Sequence, residues 1–328
     1  MAYCAPRATG PATDDARAVT DAAANAVSIE LTAVLAAVTD DEPRVLTVEA
    51  GQALPSGPFE SGHRSLQTGL RAWVERQTRH PLGYVEQLYT FADKDRLHGG
   101  VRAISISYLG LTREASAPRA RATTWHGWYR YFPWEDWRAG PPAVMRREIV
   151  PRLRRWAAGA PDPATKRARS QRIAVDFGAS ERAWNEELVL QRYELLYEAG
   201  LVPEFHRGRP VAADAVVPGV PMAHDHRRIL ATGMARLRAK IKYRPVVFEL
   251  MPESFTLLQL QRAVEALAGR RLHKQNFRRL VDQQGLVEET GAMSSETGGR
   301  PAKLVRFRRE VLIERAAAGT KLPLARPA

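Results

Sequence analysis

The alternation of apolar and polar positions predicts several strands in the first part of the chain. Residues 27–50 hold two apolar runs with many β-branched side chains around the polar turn TDDEPR, a pattern typical of a strand pair. Further along, GYVEQLYTFADKDR and VRAISISYLGLT predict two more strands joined by a polar loop. The Pro- and Gly-rich stretch from Leu54 to Gly62 predicts a loop between the two pairs.

A helix is predicted between these strand pairs, from Ser65 to Gln77, and Pro81 follows its end. Its apolar side is predicted to carry Leu66, Leu70, Trp73 and Gln77, with Val74 on the flank. This order of strands and helix indicates an α+β domain.

The middle of the chain, about residues 144–215, has a different pattern and predicts a helical insertion. ERAWNEELVLQRYELLYEAGLVPE predicts one long amphipathic helix, with Gly200 in the position of a C-terminal cap. Trp184, Leu188, Tyr193, Leu196 and Tyr197 are the apolar residues near helical spacing. GRPVAADAVVPGVP predicts a connector. The aromatic residues from Trp125 to Trp137 could stack on an adenine ring, but clusters of this kind more often form part of a core or a dimer interface.

The last third predicts a helix, a turn, a helix and a β-hairpin. Ser254 is a good N-cap for a helix that ends at Gly269, and a second helix is predicted from about Lys274 to Gln284. Phe277, Leu280 and Val281 are predicted to face its core. The strands LVEET and KLVRF then enclose a polar, Gly-rich tip, and HRRILATGMARLRAKIKYRP can supply the first helix of the module. This is the element order of a winged helix-turn-helix.

The second predicted helix presents residues that can read bases. At 100° per residue, its exposed face carries Gln275, Arg278, Arg279 and Asp282, flanked by Lys274 and Asn276. Arginine bonds guanine edges, and glutamine or asparagine bonds adenine edges. Further DNA contacts are predicted for Ser254 and Thr256, and for Arg300 and Lys303, which would clamp the DNA backbone or the minor groove. A small α/β domain with an exposed basic helix remains the alternative.

The charge and the cysteine content bear on the binding partner and the cellular compartment. The 328 residues carry a formal net charge of +13, and from His224 onward 21 Lys/Arg stand against 10 Asp/Glu. This excess fits a polyanion partner and a merely basic surface about equally. The one cysteine, Cys4, predicts a reducing compartment. With no apolar run long enough to span a membrane and no secretory signal, we expect a cytoplasmic protein. Residues 1–25 and 314–328 are predicted to be tails.

The stretch LPSGPFESGHRSLQTGLRAWVERQTR resembles a degraded Nudix box. Gly57, Arg71, Trp73 and Glu75 stand where that box has Gly, Arg, an apolar residue and Glu. His63, Ala72, Arg76 and Thr78 replace its other Glu residues and its closing Gly. Nudix hydrolysis needs Mg²⁺ held by grouped carboxylates. The departures therefore predict a retained scaffold without metal chemistry, in which Glu75 pairs with Arg71 one turn away.

A Nudix-like domain followed by FTLLQLQRAVEALAGRRLHKQNFRRLV and GGRPAKLVRF resembles the Nudix-related transcriptional regulators of NAD metabolism, the NrtR type. The extra segment with FPWEDWR is similar to their longer alphaproteobacterial NadQ variant. The resemblance implies a Nudix-like α/β/α sandwich over 26–222 and a winged helix domain over 223–313.

The same resemblance implies a homodimeric repressor on double-stranded operator DNA. Its effector would be an adenine nucleotide such as ADP-ribose, NAD or ATP. The expected effector site comprises Gly57, Phe59, Arg71, Glu75 and Arg96, with no catalytic residue, cofactor or metal. Two alternatives stay open: an active Nudix pyrophosphohydrolase with a nucleic-acid module, and a non-specific nucleic-acid-binding protein. For His63, a loop role is favoured over a metal-binding role. Asp93 and Asp95 lie on a predicted loop between strands, a position where ligand-binding residues are common.

Overall fold

Two sets of elements build the protein: a mixed sheet with helices, and a smaller helix-hairpin module. The computed structural model describes residues 27–79, 82–92, 97–98, 101–114, 123–179, 182–207, 209–294 and 301–311. The strands are β1 Val27–Thr39, β2 Glu42–Thr47, β3 Ser56–Pro58, β4 Tyr84–Phe91, β5 Leu97–His98, β6 Val101–Leu111, β7 Thr124–Gly127, β8 Val287–Ser294 and β9 Ala302–Phe307. The helices are α1 Leu66–Thr78, α2 Val150–Ala158, α3 Pro163–Asp176, α4 Val189–Glu198, α5 His226–Lys240, α6 Leu257–Ala268 and α7 Lys274–Gln283.

The predicted strand pair at the start of the described chain is confirmed. β1 and β2 form an antiparallel hairpin in which Thr39 faces Glu42. The two turn residues, Asp40 and Asp41, both have positive φ, at 52° and 60°. Asp tolerates this left-handed conformation, which a two-residue turn of this twist requires. The polar pair in TDDEPR therefore fixes the hairpin register.

The main sheet has the order β4-β6-β1-β2-β7. β1 and β6 are parallel, and the other neighbours on this path are antiparallel. The segment predicted as a loop from Leu54 to Gly62 contains a short strand, because β3 pairs with the first half of β1. The strands predicted from GYVEQLYTF and VRAISISYLGL are confirmed as β4 and β6.

Helices cover both faces of this sheet. On one face, α1 packs Leu70 and Val74 against β1 and Tyr108 of β6. On the other, α5 lies so close that a Cβ on Gly233 would stand 2.9 Å from Val34 of β1. The predicted α/β/α sandwich is thus confirmed. The buried side of α1 includes Leu70, Val74 and Thr78. Trp73 and Gln77, which were predicted to lie on the apolar side, are only half-buried, so the buried face is rotated from the predicted one.

The aromatic residues after β7 belong to the hydrophobic core, which was one of the two favoured predictions for them. Trp128, Tyr131, Phe132 and Trp134 are fully buried and pack with the helices of the insertion. The long helix predicted to start near Trp184 begins only at Val189. Trp184 instead stacks on Trp137 with ring centroids 4.7 Å apart, which diverts the chain before α4.

The C-terminal module has the predicted helix, turn, helix and hairpin. α6 ends at Gly269, whose φ of 71° is the predicted left-handed cap. Its N-cap is Thr256, which forms a capping box with Gln259, so the prediction of Ser254 as the cap was wrong. The expected first helix of the module, α5, packs most extensively on α4 of the insertion. It also contacts β1, β4 and β6 of the main sheet, and α6. Leu280, predicted to face the core, is 53% exposed.

Candidate nucleic-acid interface and nucleotide site

The exposed face of α7 carries the polar residues predicted to read bases. Val281 is buried and Phe277 half-buried, which fixes the orientation of the helix. The opposite face exposes Lys274, Gln275, Asn276, Arg278 and Arg279. Within the described ranges, no intramolecular hydrogen bond or ion pair engages these five side chains. Their donors are therefore available to an external partner.

The β8–β9 wing presents cations that already have carboxylate partners. The Lys303 ammonium lies 2.7 Å from Glu289, and the Arg306 guanidinium lies 2.6 Å from Glu288, both pairs well exposed. Exposed pairs of this kind contribute little to stability, so a phosphate can compete for either cation. Arg300, the other wing residue predicted to contact DNA, lies outside the described residues.

Two residues before α6, Ser254 and Thr256, were predicted to contact DNA, and only the first is exposed. Thr256 is 2% exposed, and its hydroxyl accepts the backbone N–H of Gln259 at 3.2 Å. Thr256 is therefore a capping residue, and its predicted contact with DNA is corrected on this ground.

The turn between α6 and α7 is held by the sheet-containing part of the protein. Three backbone carbonyls at the end of α6 accept hydrogen bonds from it: Ala266 from the Tyr129 hydroxyl at 2.6 Å, Leu267 from Arg238 Nε at 2.9 Å, and Gly269 from the Trp137 N–H at 2.7 Å. Helix C-terminal carbonyls lack intrahelical partners, and here other elements supply them. A Cβ at position 269 would stand 2.5 Å from the Glu135 carbonyl oxygen, so this close approach requires glycine.

Beneath this turn lies a buried ionic cluster of Glu135, Arg192 and Arg238, all fully buried. The Glu135 carboxylate accepts two hydrogen bonds from Arg192, at 2.5 and 2.7 Å, and one from Arg238 at 2.6 Å. Burial disfavours the charged carboxylate, but the two guanidiniums outweigh it and hold the pKa of Glu135 below its usual value. The cluster therefore remains ionised, and it ties α4 and α5 to the turn between α6 and α7.

The degraded Nudix box is filled by its own side chains. Gly57 lies directly under the Trp73 ring, where a Cβ would come within 2.1 Å of a ring carbon. The Trp73 indole N–H donates to the Pro58 carbonyl at 2.8 Å. The Arg76 guanidinium lies 4.3 Å from the centre of the same ring. Gly57 thus permits close packing of β3 on α1.

The predicted ion pair between Arg71 and Glu75 does not form. The Arg71 guanidinium donates instead to the carbonyls of Leu82 and Gly83, just before β4. Two backbone acceptors in the connection after α1 outcompete a surface pair worth only about 0.2–0.5 kcal/mol. Glu75 is exposed and has no ion-pair partner among the described residues.

Of the remaining two residues predicted for the nucleotide site, Phe59 and Arg96, the structure describes Phe59. Phe59 is half-buried, with its ring 5.7 Å from that of His63. His63 accepts the Glu60 N–H at Nδ1 and covers Gly69 of α1, which fits its predicted loop role. Asp93, Asp95 and Arg96 fall outside the described residues. Within the ranges given above, no group of three or more His, Cys, Asp or Glu side chains could hold a metal ion.

The buried cluster at Glu135 was not predicted from the sequence. Its members lie in separate segments, with sequence separations of 57 and 103 residues between the partners. The one local signal was a charged residue placed between tryptophans in FPWEDWR, where a buried charge must find a partner.

These features define a class: a Nudix-like α/β/α domain joined to a winged helix of the kind that reads DNA. Residues 247–307 match the family model of the NrtR DNA-binding winged helix domain. Across the part of the chain that the structure describes, no helix has the length and apolar character needed to span a membrane.

Particular relatives support this class. An 86-residue segment is 43% identical to the ADPR responsive transcriptional repressor NtrR of Acinetobacter baylyi; it covers 26% of this chain and 34% of that protein. The match thus spans about a third of the relative's length. Two structures of Shewanella oneidensis NrtR share the fold. The complex with a 27mer DNA has a TM-score of 0.53 at 20% identity, covering 86% of this chain and 94% of that one. The other has a TM-score of 0.51 at 18% identity, with the same coverage. The predicted resemblance to NrtR-type regulators is confirmed, by sequence for the winged helix and by fold for the larger part of the chain.

Proposed function

We propose that this protein is a DNA-binding transcriptional repressor of NAD biosynthesis or salvage genes, regulated by a nucleotide bound to its Nudix-like domain. The observation that carries the proposal is the exposed face of α7, where five polar side chains keep free donors within a segment that matches an NrtR DNA-binding domain. Gln275, Asn276, Arg278 and Arg279 would read base edges in the major groove. Ser254, Arg300 and Lys303 would contact the backbone.

The proposed effector is ADP-ribose, with NAD and ATP as the other candidates of the same class. The Acinetobacter relative is described as ADPR responsive, and the sandwich fold here is Nudix-like. A nucleotide can regulate the repressor only if it binds the free and DNA-competent conformations with different affinities. The junction at Glu135 offers a route, because it joins elements of the sandwich to the turn before α7.

We further propose that the domain binds its nucleotide without hydrolysing it. The box keeps one carboxylate, Glu75, and places the cation of Arg76 beside it. Mg²⁺ catalysis of pyrophosphate hydrolysis depends on carboxylate oxygens that hold the ion against the phosphates. DNA binding would therefore need no metal, and the protein would act as a cytoplasmic homodimer on paired half-sites.

Fluorescence anisotropy with the DNA upstream of the protein's own gene tests the reading face. Replacing Arg278 or Arg279 with Ala should weaken binding to that DNA by about 1–3 kcal/mol while scarcely changing binding to scrambled DNA. Arg154→Ala is the matched control, because Arg154 is an exposed arginine on α2. If Arg278→Ala and Arg279→Ala each weaken binding to the upstream and scrambled DNAs equally, these side chains contact only phosphates and the base-reading role is wrong.

A further inference from the structure

A cavity lies under the DNA-reading helix, on the side of α7 opposite its exposed polar face. Its volume is about 250 Å³. Its apolar wall includes Ile241, Phe248, Val264, Ala268, Phe277 and Val281. An apolar cavity of roughly 150 Å³ is enough to take up a benzene molecule. This cavity therefore has room for a larger apolar group, such as a substituted aromatic ring or a short acyl chain.

The cavity opens to solvent between apolar side chains. Leu280 on α7 is 53% exposed, and Tyr243, after α5, is 59% exposed. Leu280 occupies a position that the helical pattern assigns to the core, so its exposure leaves the apolar side of α7 incompletely covered. Burying such a surface against an apolar group is favourable at about 25 cal/mol per Å².

The rim of the cavity has an excess of positive charge. Lys242 pairs with Glu186 at 2.8 Å and Glu187 at 2.6 Å, while Arg270 is 3.5 Å from Glu186. Arg244 also lines the cavity, is exposed, and has no side-chain partner among the described residues. Glu186 and Glu187 thus engage Lys242 and Arg270, which leaves the Arg244 guanidinium available for an anionic group.

We propose that this cavity is a second ligand site, separate from the nucleotide site, and that it takes a small amphipathic anion. The apolar body would fill the space between α6 and α7, and a carboxylate, sulfonate or phosphate head would bind Arg244. A regulatory consequence rests on the proposed function. Because Phe277 and Val281 line the cavity and Arg278 and Arg279 lie on the same helix, an occupant would change how α7 is presented to DNA.

The test uses the full-length protein and the fluorescent probe 8-anilino-1-naphthalenesulfonate, with octanoate as a competitor. Val264→Phe and Ala268→Leu fill the cavity, and Arg244→Glu reverses the free rim charge. Arg154→Glu is the matched control, since it makes the same change at an exposed residue of α2, remote in sequence. Melting curves accompany each variant, so a variant that fails to fold is recognised and Arg244→Glu still decides.

We expect saturable binding of one probe per chain, displaced by octanoate and unaffected by ADP-ribose. The filling variants should weaken it at least roughly tenfold. Arg244→Glu should weaken it roughly three- to tenfold, and Arg154→Glu should leave it unchanged. Probe binding that persists in a folded filling variant, or that ADP-ribose displaces, would overturn the site. The oligomeric state of Leu280→Glu is measured as well. If this variant turns a dimer into a monomer, a second copy of the chain covers the opening and the proposal is wrong.

A DNA titration separates this proposal from the proposed function. If the probe binds as expected and changes the affinity for upstream DNA, both the site and its regulatory consequence stand. If the probe binds but DNA affinity is unchanged, the site stands and the regulatory consequence is wrong. If the protein binds no upstream DNA in any condition, the proposed function fails while the probe measurement still decides the site.

Discussion

Replacing Glu135 with Gln removes one charge from the buried cluster while preserving the size of the side chain. The carboxylate accepts three hydrogen bonds from two guanidiniums that are fully buried. Arg192 and Arg238 would stay in the interior without their shared counterion. Breaking a buried pair in this way costs about 3–5 kcal/mol, against about 0.2–1 kcal/mol for an exposed pair.

Thermal unfolding measured by scanning fluorimetry gives the first readout. At about 2–4 °C per kcal/mol, the variant should melt roughly 6–20 °C lower than the wild type at neutral pH. Glu288→Gln is the control, since Glu288 forms an exposed pair with Arg306, and it should shift the melting temperature by less than about 4 °C. A Glu135→Gln variant that melts within that same margin would refute the assigned role of the cluster.

The pH dependence gives a second readout with a definite sign. The pKa of Glu135 is lowered in the folded protein from its usual 4.5. Its contribution is therefore present above pH 4.5 and is lost as pH falls through the lower folded-state value. The gap between wild type and Glu135→Gln should stay constant from neutral pH down to that range and shrink below it. Hydrogen exchange at Gly269–His273 should also accelerate in the variant, because Arg238 anchors the preceding helix end.

Three further outcomes are expected. Thr256→Ala should lower stability by about 1 kcal/mol through loss of the capping box, while Ser254→Ala should not, as urea unfolding can show. Gly57→Ala should destabilise by about 1–3 kcal/mol and change tryptophan fluorescence, because its Cβ would meet Trp73; an unchanged spectrum and midpoint would contradict that packing. Burial, then the charges of Arg130 and Arg44, lower the pKa of His126 from 6.5, so the wild type should lose stability as pH falls below 6.5. His126→Gln should weaken this dependence, and an identical pH profile would contradict it.

Local patterns were sufficient to predict most elements. The strand pairs, the start of α1 near Ser65 and the Gly269 cap of α6 depend on residues within a few positions of each other. The cap of α6 could also have been found, because Thr256 and Gln259 have the spacing of a capping box. The late start of α4 could not, since it follows from the stacking of Trp184 on Trp137, 47 positions away in sequence.

The candidate sites also differ in whether local sequence patterns or long-range contacts determine them. The exposed face of α7 follows from helical periodicity, and the structure places its polar residues as predicted. The Nudix-box residues were assigned to the nucleotide site by resemblance, and that assignment stays a prediction. The structure shows packing contacts for two of them. Gly57 lies under Trp73, and Arg71 binds the carbonyls before β4. The role of Glu135 depends on partners far along the chain, which no local pattern contains.

The central claim, a repressor that senses a nucleotide, is tested most directly by anisotropy of the full-length protein on its own upstream DNA, against scrambled DNA at the same salt concentration. ADP-ribose, NAD and ATP are titrated in turn, with and without Mg²⁺. We predict selective binding to the upstream DNA, no need for Mg²⁺, and a change in affinity with ADP-ribose. Equal binding to both DNAs that no nucleotide alters would contradict the account.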